Sequence, residues 1–186
     1  KANLIKINKG NLDKIKFSGS DLAIVVGDIL YALAIDAFLA IQEKPVRKEK
    51  ALRKFISAAL YTGCGEFIEL VCGTKTIEKI QQSDIYKIYD FKTAYYTFAY
   101  PLSIGATLAG AKENQAKKIF EYGVYLGRAF QIQDDILGMF ADEKEIGKSM
   151  LSDLQEAKKT LLIWRASRTA KHSDRKQINQ ILTKKN

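Results

Sequence analysis

Apolar residues recur along this chain at helical spacing almost from end to end, and strand-like alternation is rare. Ser18 or Ser20 predicts the cap of a first long helix that runs to about Gln42, where Lys44-Pro45 ends it. A second helix is expected from about Arg47 to Val71, with Leu52, Phe55, Ile56, Ala59 and Leu60 on one face and Gly73-Thr74 at its end. A third begins near Thr76 or Ser83, and Pro101 breaks or kinks it. Leu102 to Ala111 reads as a short helix of small residues suited to close packing. The clearest amphipathic stretch spans Glu113 to Phe140, followed by a polar loop over residues 141–152. A last long helix is expected from near Asp153 through Trp164, and a short one beyond a Ser173 cap. No repeat or internal boundary appears, so the expectation is all-α and a single domain over residues 1–186.

One segment, Leu22 to Ile41, is long and apolar enough to mimic a membrane span. It carries Asp28 and Asp36, each costing about 2.5–3.5 kcal/mol at a bilayer centre. A core helix of a large helical protein is therefore the preferred reading, with no transmembrane segment. The two aspartates are then expected to be hydrogen-bonded in helix packing.

Composition narrows the picture. The 186 residues are 47% hydrophobic with only 2 prolines, which suits a packed core rather than a disordered chain. Two cysteines, Cys64 and Cys72, make no disulfide framework and suit a reducing cytosol, so a cytoplasmic location is expected. Both are expected to be small core residues. The N-terminus lacks the apolar run of a secretory signal. The net charge of +9 suggests nucleic acid at first sight, but it is unevenly placed. Residues 1–16 carry a net +4 and residues 158–186 a net +8, while residues 17–157 carry a net −3. With no zinc pattern and no aromatic RNP-like strand, nucleic-acid binding is not expected. His172, the only histidine, lies among charges and reads as a surface residue, which argues against histidine-based catalysis. Tyr95, Tyr96, Phe98 and Tyr100 cluster ahead of Pro101 and read chiefly as core.

The candidate chemistry lies between Phe130 and Thr160. Asp134 and Asp135 interrupt an otherwise apolar helix, and two carboxylates there are costly unless they bind something. Gln131 precedes them by three and four residues and shares their face, with Arg128 a turn further back. Such a set suits Mg²⁺, which takes one or two protein carboxylates and completes its shell with water and phosphate oxygens. Gly147-Lys148 places a cation in a loop, Lys158 and Lys159 are expected on the next helix, and Lys92-Thr93 lies before the break at Pro101. Acidic groups for a metal together with separate lysines make a site for a Mg²⁺-bridged diphosphate.

At these residues the chain resembles the trans-isoprenyl diphosphate synthases, or polyprenyl synthetases, which include the farnesyl and geranylgeranyl diphosphate synthases. FQIQDDILG, then IGK, then SDLQEAKKTLL is similar to the family's second aspartate-rich region. DLAIVVGDILYALA resembles its helix after the first aspartate-rich region, GEFIEL its G-[QE]-x-x-[DE]-L helix, and KTA its lysine-threonine motif. The resemblance covers about Gly19 to Trp164. It implies an isoprenoid-synthase-type bundle of long helices around a central cavity, and subunits paired as a homodimer. It also implies transfer of a prenyl group from an allylic prenyl diphosphate to isopentenyl diphosphate, with Mg²⁺ as cofactor. By the same resemblance Asp134 and Asp135 bind the metal, Lys92, Lys148 and Lys158 contact the allylic diphosphate, and Thr93 and Gln131 face the reacting carbons and diphosphate oxygens. Lys92, Thr93, Gln131 and Lys148 are thus the expected catalytic set.

Two departures shape the expectation. Gly138 stands where the family's DDxxD has its last aspartate. Residues 1–18 hold one carboxylate, Asp13, and no arginine, where the first aspartate-rich motif and its arginine pair are expected. The expectation is a fragment of a full synthase, a synthase lacking its N-terminal segment, or a non-catalytic regulatory subunit of a heteromeric synthase. In each case the chain alone is expected to show little turnover, and product chain length is not legible.

Overall fold

The computed structural model describes residues 18–140 and 157–183, and no strand occurs among them. They divide into two compact units after Gln42.

The first unit holds α1, Gly19–Leu39. Ser18 caps it: its hydroxyl accepts from the Asp21 amide at 3.2 Å, and the Asp21 carboxylate accepts from the Ser18 amide at 2.8 Å. The Ser18 hydroxyl, which donates to the Asp21 carboxylate at 2.8 Å, and then the Ser18 amide hold the Asp21 carboxyl below its ordinary value. α1 differs from the buried helix expected. Leu22, Ile24, Val25, Ile29, Leu30 and Leu33 are all exposed, as are Asp28 and Asp36. Continuous apolar patterning specifies a helix that avoids water, and it does not specify what covers it. By length and composition alone α1 and α2 are both apolar enough to cross a membrane.

The second unit is built on α2, Pro45–Gly73, and α5, Glu113–Phe140. Between them in sequence lie a 3₁₀ turn at Ile77–Lys79, α3 at Gln82–Tyr89, a π-helical segment at Asp90–Ala99 and α4 at Tyr100–Leu108. Pro45 at the first turn starts α2, as its missing N–H requires. Pro101 does not break the helical path. The chain widens into π turns before it, where the Tyr100 N–H reaches back to the Tyr95 carbonyl, and the proline falls in the first turn of α4.

Three glycines let the long helices close on this π segment. A Cβ at Gly65 would stand 2.6 Å from the Lys92 nitrogen, one at Gly123 2.5 Å from the Ala99 Cα, and one at Gly127 2.4 Å from the Ala94 Cα. The π segment is thus gripped between α2 and α5, with Ala94 and Ala99 fully buried. A core of Cys72, Ile80, Ile85, Ile88 and Tyr89 sits beside it, packed by Ile68, Ile132, Leu161 and Trp164. Tyr61, Phe91, Tyr95, Tyr100 and Phe120 form an aromatic cluster with neighbouring ring centroids 4.8–6.2 Å apart. The Lys54 amine donates to Ser103 and Thr107 at 2.9 and 3.0 Å, tying α2 to α4.

The C-terminal helices start differently from the sequence expectation. Ala157 adopts a left-handed backbone at φ 52°, and residues 158–160 are not helical. The helix α6 begins at Leu161, with Thr160 as its cap accepting from the Ile163 amide at 3.3 Å. Lys158 and Lys159 therefore stand before a helix, not on one. α7 spans His172–Thr183, so Ser173 lies inside it. Of the cysteines, Cys72 is buried as expected and Cys64 is exposed.

Candidate active site

The π segment turns Lys92 and Thr93 toward the face of α5 that carries Gln131, Asp134 and Asp135, and a cavity of about 1010 Å³ opens between them and the end of α2. Lys92, Thr93, Gln131, Asp134, Asp135 and Lys158 all line it, with Glu66 and Glu69 from α2 and Tyr89 from α3. Six of the seven residues singled out from sequence thus meet at one cavity; Lys148 lies outside the described residues.

A polar chain organises the carboxylates. The Thr93 hydroxyl donates to Gln131 Oε1 at 2.7 Å. The Gln131 amide donates to Asp135 Oδ1 at 3.0 Å and to Asp134 Oδ2 at 3.4 Å. The other Asp135 oxygen accepts from the Tyr89 hydroxyl, and the Tyr89 oxygen accepts from the Leu161 amide at 2.8 Å. Asp135 is only 4% exposed, whereas Asp134 is open to solvent. No buried side-chain nitrogen or oxygen among the described residues lacks a partner.

Lys92 is held between two carboxylates, at 2.5 Å from Glu69 and 3.2 Å from Glu66. Burial pushes its amine down, but the two glutamates outweigh burial and leave it above the ordinary lysine value. Lys159 donates to the Gly73 carbonyl at the end of α2 at 2.9 Å. Burial lowers its amine below the ordinary value, a loss partly offset by Cys72. Arg128 leaves the site altogether. It forms a two-pronged pair with Asp90 at 2.6 Å on each arm, between the rings of Tyr86 and Tyr125. Of the tyrosines before Pro101, Tyr95 and Tyr100 belong to the aromatic cluster, while Tyr96 lines the cavity.

The donor set suits a hard divalent cation that shares a phosphate ligand. Asp134 offers an accessible carboxylate, while both oxygens of Asp135 are engaged by Tyr89 and Gln131. Mg²⁺ needs only one or two protein carboxylates when substrate phosphates complete its shell. No group of three His, Cys, Asp or Glu among the described residues stands ready to cage a metal. Sequence reasoning missed Tyr89 and the Glu66–Lys92–Glu69 arrangement. The GEFIEL motif carried the signal for the glutamates, and nothing local carried it for Tyr89.

This fold is that of the isoprenyl diphosphate synthases. The family model for polyprenyl synthetase matches residues 12–186, and the chain belongs to that family. It is 34% identical over 169 residues to a geranylgeranyl diphosphate synthase of Sulfolobus acidocaldarius, covering 90% of this chain and 50% of the relative. It is 30% identical over 169 residues to a short chain isoprenyl diphosphate synthase of Methanocaldococcus jannaschii, with the same coverage. The chain thus spans about half the length of the curated relatives it matches. Among solved structures, geranylgeranyl pyrophosphate synthetase from Pyrococcus horikoshii superposes with a TM-score of 0.76 at 27% identity, over 86% of this chain and 48% of that one. Geranylgeranyl pyrophosphate synthase from Corynebacterium glutamicum, complexed with isoprenyl diphosphate and magnesium, superposes with a TM-score of 0.75 at 25% identity, over 89% and 47%.

Proposed function

We propose that this chain carries part of the active site of a prenyltransferase that condenses isopentenyl diphosphate with an allylic prenyl diphosphate to give a longer trans-polyprenyl diphosphate. The observation that carries the reading is the convergence of Asp134, Gln131, Thr93, Lys92 and Lys158 on one cavity large enough for a prenyl diphosphate.

In this reading the allylic carbon–oxygen bond breaks, diphosphate leaves, a carbon–carbon bond forms to the double bond of isopentenyl diphosphate, and a proton is lost. Negative charge grows on the departing diphosphate, so fixed cations at that end lower the barrier. Lys92 and Lys158 are those cations; Lys148, outside the described residues, is a third by family resemblance alone. Glu69 and Glu66 hold the Lys92 amine in place at the cavity wall and keep it above the ordinary lysine value despite its burial. Asp134 would hold Mg²⁺ with Asp135 beside it, and the ion would offset the diphosphate charge. Gln131, fixed by Thr93, presents its amide dipole beside the same carboxylates. Tyr96 and Phe130 line the apolar part of the cavity for the prenyl chain.

The free thiols support a reducing, cytoplasmic setting. Apolar side chains exposed on α5, including Tyr122, Tyr125 and Phe140, support pairing with a second copy as a homodimer. The reading is tested by thermal melting of the chain with Mg²⁺ and either an allylic diphosphate or the matching prenyl alcohol. Stabilisation by the diphosphate and not by the alcohol is expected. Equal effects from both would overturn it.

A further inference from the structure

Tyr89 belongs to none of the motifs that mark this site, yet it ties two of its parts together. Its hydroxyl donates to Asp135 on α5, and its oxygen accepts from the Leu161 amide at the first turn of α6. The ring is 5% exposed and packs in the core with Ile85, Ile88 and Leu161, so the hydroxyl has little freedom to move. Leu161 directly follows the Lys158–Thr160 segment that lines the cavity.

The consequence runs along the polar chain. Tyr89 occupies one oxygen of Asp135, which leaves the other to accept from Gln131. That bond, with the Thr93 hydroxyl on Gln131 Oε1, fixes which way the amide faces. The amide in turn reaches Asp134. We infer that Tyr89 is a positioning residue: acting through Asp135 and Gln131, it sets the orientation of the Asp134 carboxylate, and through Leu161 it anchors the segment that carries Lys158 into the same cavity. This rests on the reading of the cavity as a metal–diphosphate site.

The test uses the full chain and Tyr89→Phe, which keeps the ring and removes the hydroxyl. Binding of Mn²⁺ in the presence of inorganic pyrophosphate is followed by electron paramagnetic resonance, and backbone and side-chain amides by NMR. Loss of such a supporting partner is expected to weaken metal binding roughly 10–100-fold. Exchange of the Leu161 amide should quicken, and the Gln131 side-chain resonance should shift. Asp135→Asn should weaken Mn²⁺ binding at least as much, because it removes a carboxylate charge as well as the acceptor for Tyr89, and adding Tyr89→Phe to it should cost little further, because Tyr89 acts through Asp135. Unchanged Mn²⁺ affinity in a folded Tyr89→Phe would overturn the role, even with faster Leu161 exchange. Absence of pyrophosphate-dependent Mn²⁺ binding in the unsubstituted chain would overturn the metal–diphosphate reading instead. Tyr89 is then decided by the Gln131 resonance: a shift in Tyr89→Phe upholds the orienting role, and an unmoved resonance ends it.

Discussion

The Thr93 hydroxyl, in the π-helical segment, donates to Gln131 Oε1 on α5 at 2.7 Å across 38 residues of chain. This bond decides which end of the amide faces the aspartates, since an amide whose oxygen is taken must present its N–H₂ to Asp134 and Asp135. Thr93→Val keeps the shape and removes the donor. It should cost about 1 kcal/mol of stability, as a lost neutral hydrogen bond does. It should also weaken metal-dependent diphosphate binding, measured by calorimetry, while Thr93→Ser restores it.

The two aspartates should separate by what they lose. Asp134 is exposed and makes one long hydrogen bond, so Asp134→Ala should change stability by no more than about 0.5 kcal/mol. Asp135 is buried under Tyr89, so Asp135→Ala strands a buried hydroxyl and should cost about 1–3 kcal/mol. Urea unfolding of both variants checks the split.

Gly65 allows α2 to touch the backbone of Lys92, and a methyl group there would stand 2.6 Å from the Lys92 nitrogen. Gly65→Ala should therefore destabilise by about 1–3 kcal/mol, because backbone must shift to admit it. Gly63→Ala, on the same helix with nothing within 4 Å of its Cβ position, should be neutral or slightly stabilising. A comparison of the two melting temperatures isolates the contact.

The Glu66–Lys92–Glu69 arrangement has a pH signature. The folded amine lies above the ordinary lysine value of 10.5, so folding favours the protonated form. The stabilisation is fully present below the unfolded value and is lost as pH rises through the raised folded value. The stability gap between the unsubstituted chain and Glu69→Gln should thus be constant from neutral pH to about pH 10 and shrink above it. A gap that widens with alkaline pH would contradict this arrangement.

Much of the site was legible because its signals are local. Gln131, Asp134 and Asp135 share a face by spacing alone, and the bounds of α5 follow from its apolar periodicity. Lys92 and Thr93 were marked by resemblance, but their delivery to the cavity depends on π turns that no residue pattern announces. Tyr89 was invisible because its partners lie 46 and 72 residues away. The bend at Ala157 was missed because alanine carries no signal for a left-handed backbone, although Thr160 before an apolar run was a readable cap. The exposure of α1 was illegible for a different reason: an apolar helix shows what it avoids and not what it meets.

In the proposed function the cavity holds a diphosphate through a divalent cation on Asp134 and through Lys92. Calorimetric titration of the full chain with an allylic diphosphate, in Mg²⁺ and in EDTA, tests it most directly when run beside Asp134→Ala and Lys92→Ala. Binding in Mg²⁺ should fall at least about tenfold, or 1.4 kcal/mol, in EDTA and in each variant. Binding that ignores the metal, or that survives Asp134→Ala unchanged, would contradict it.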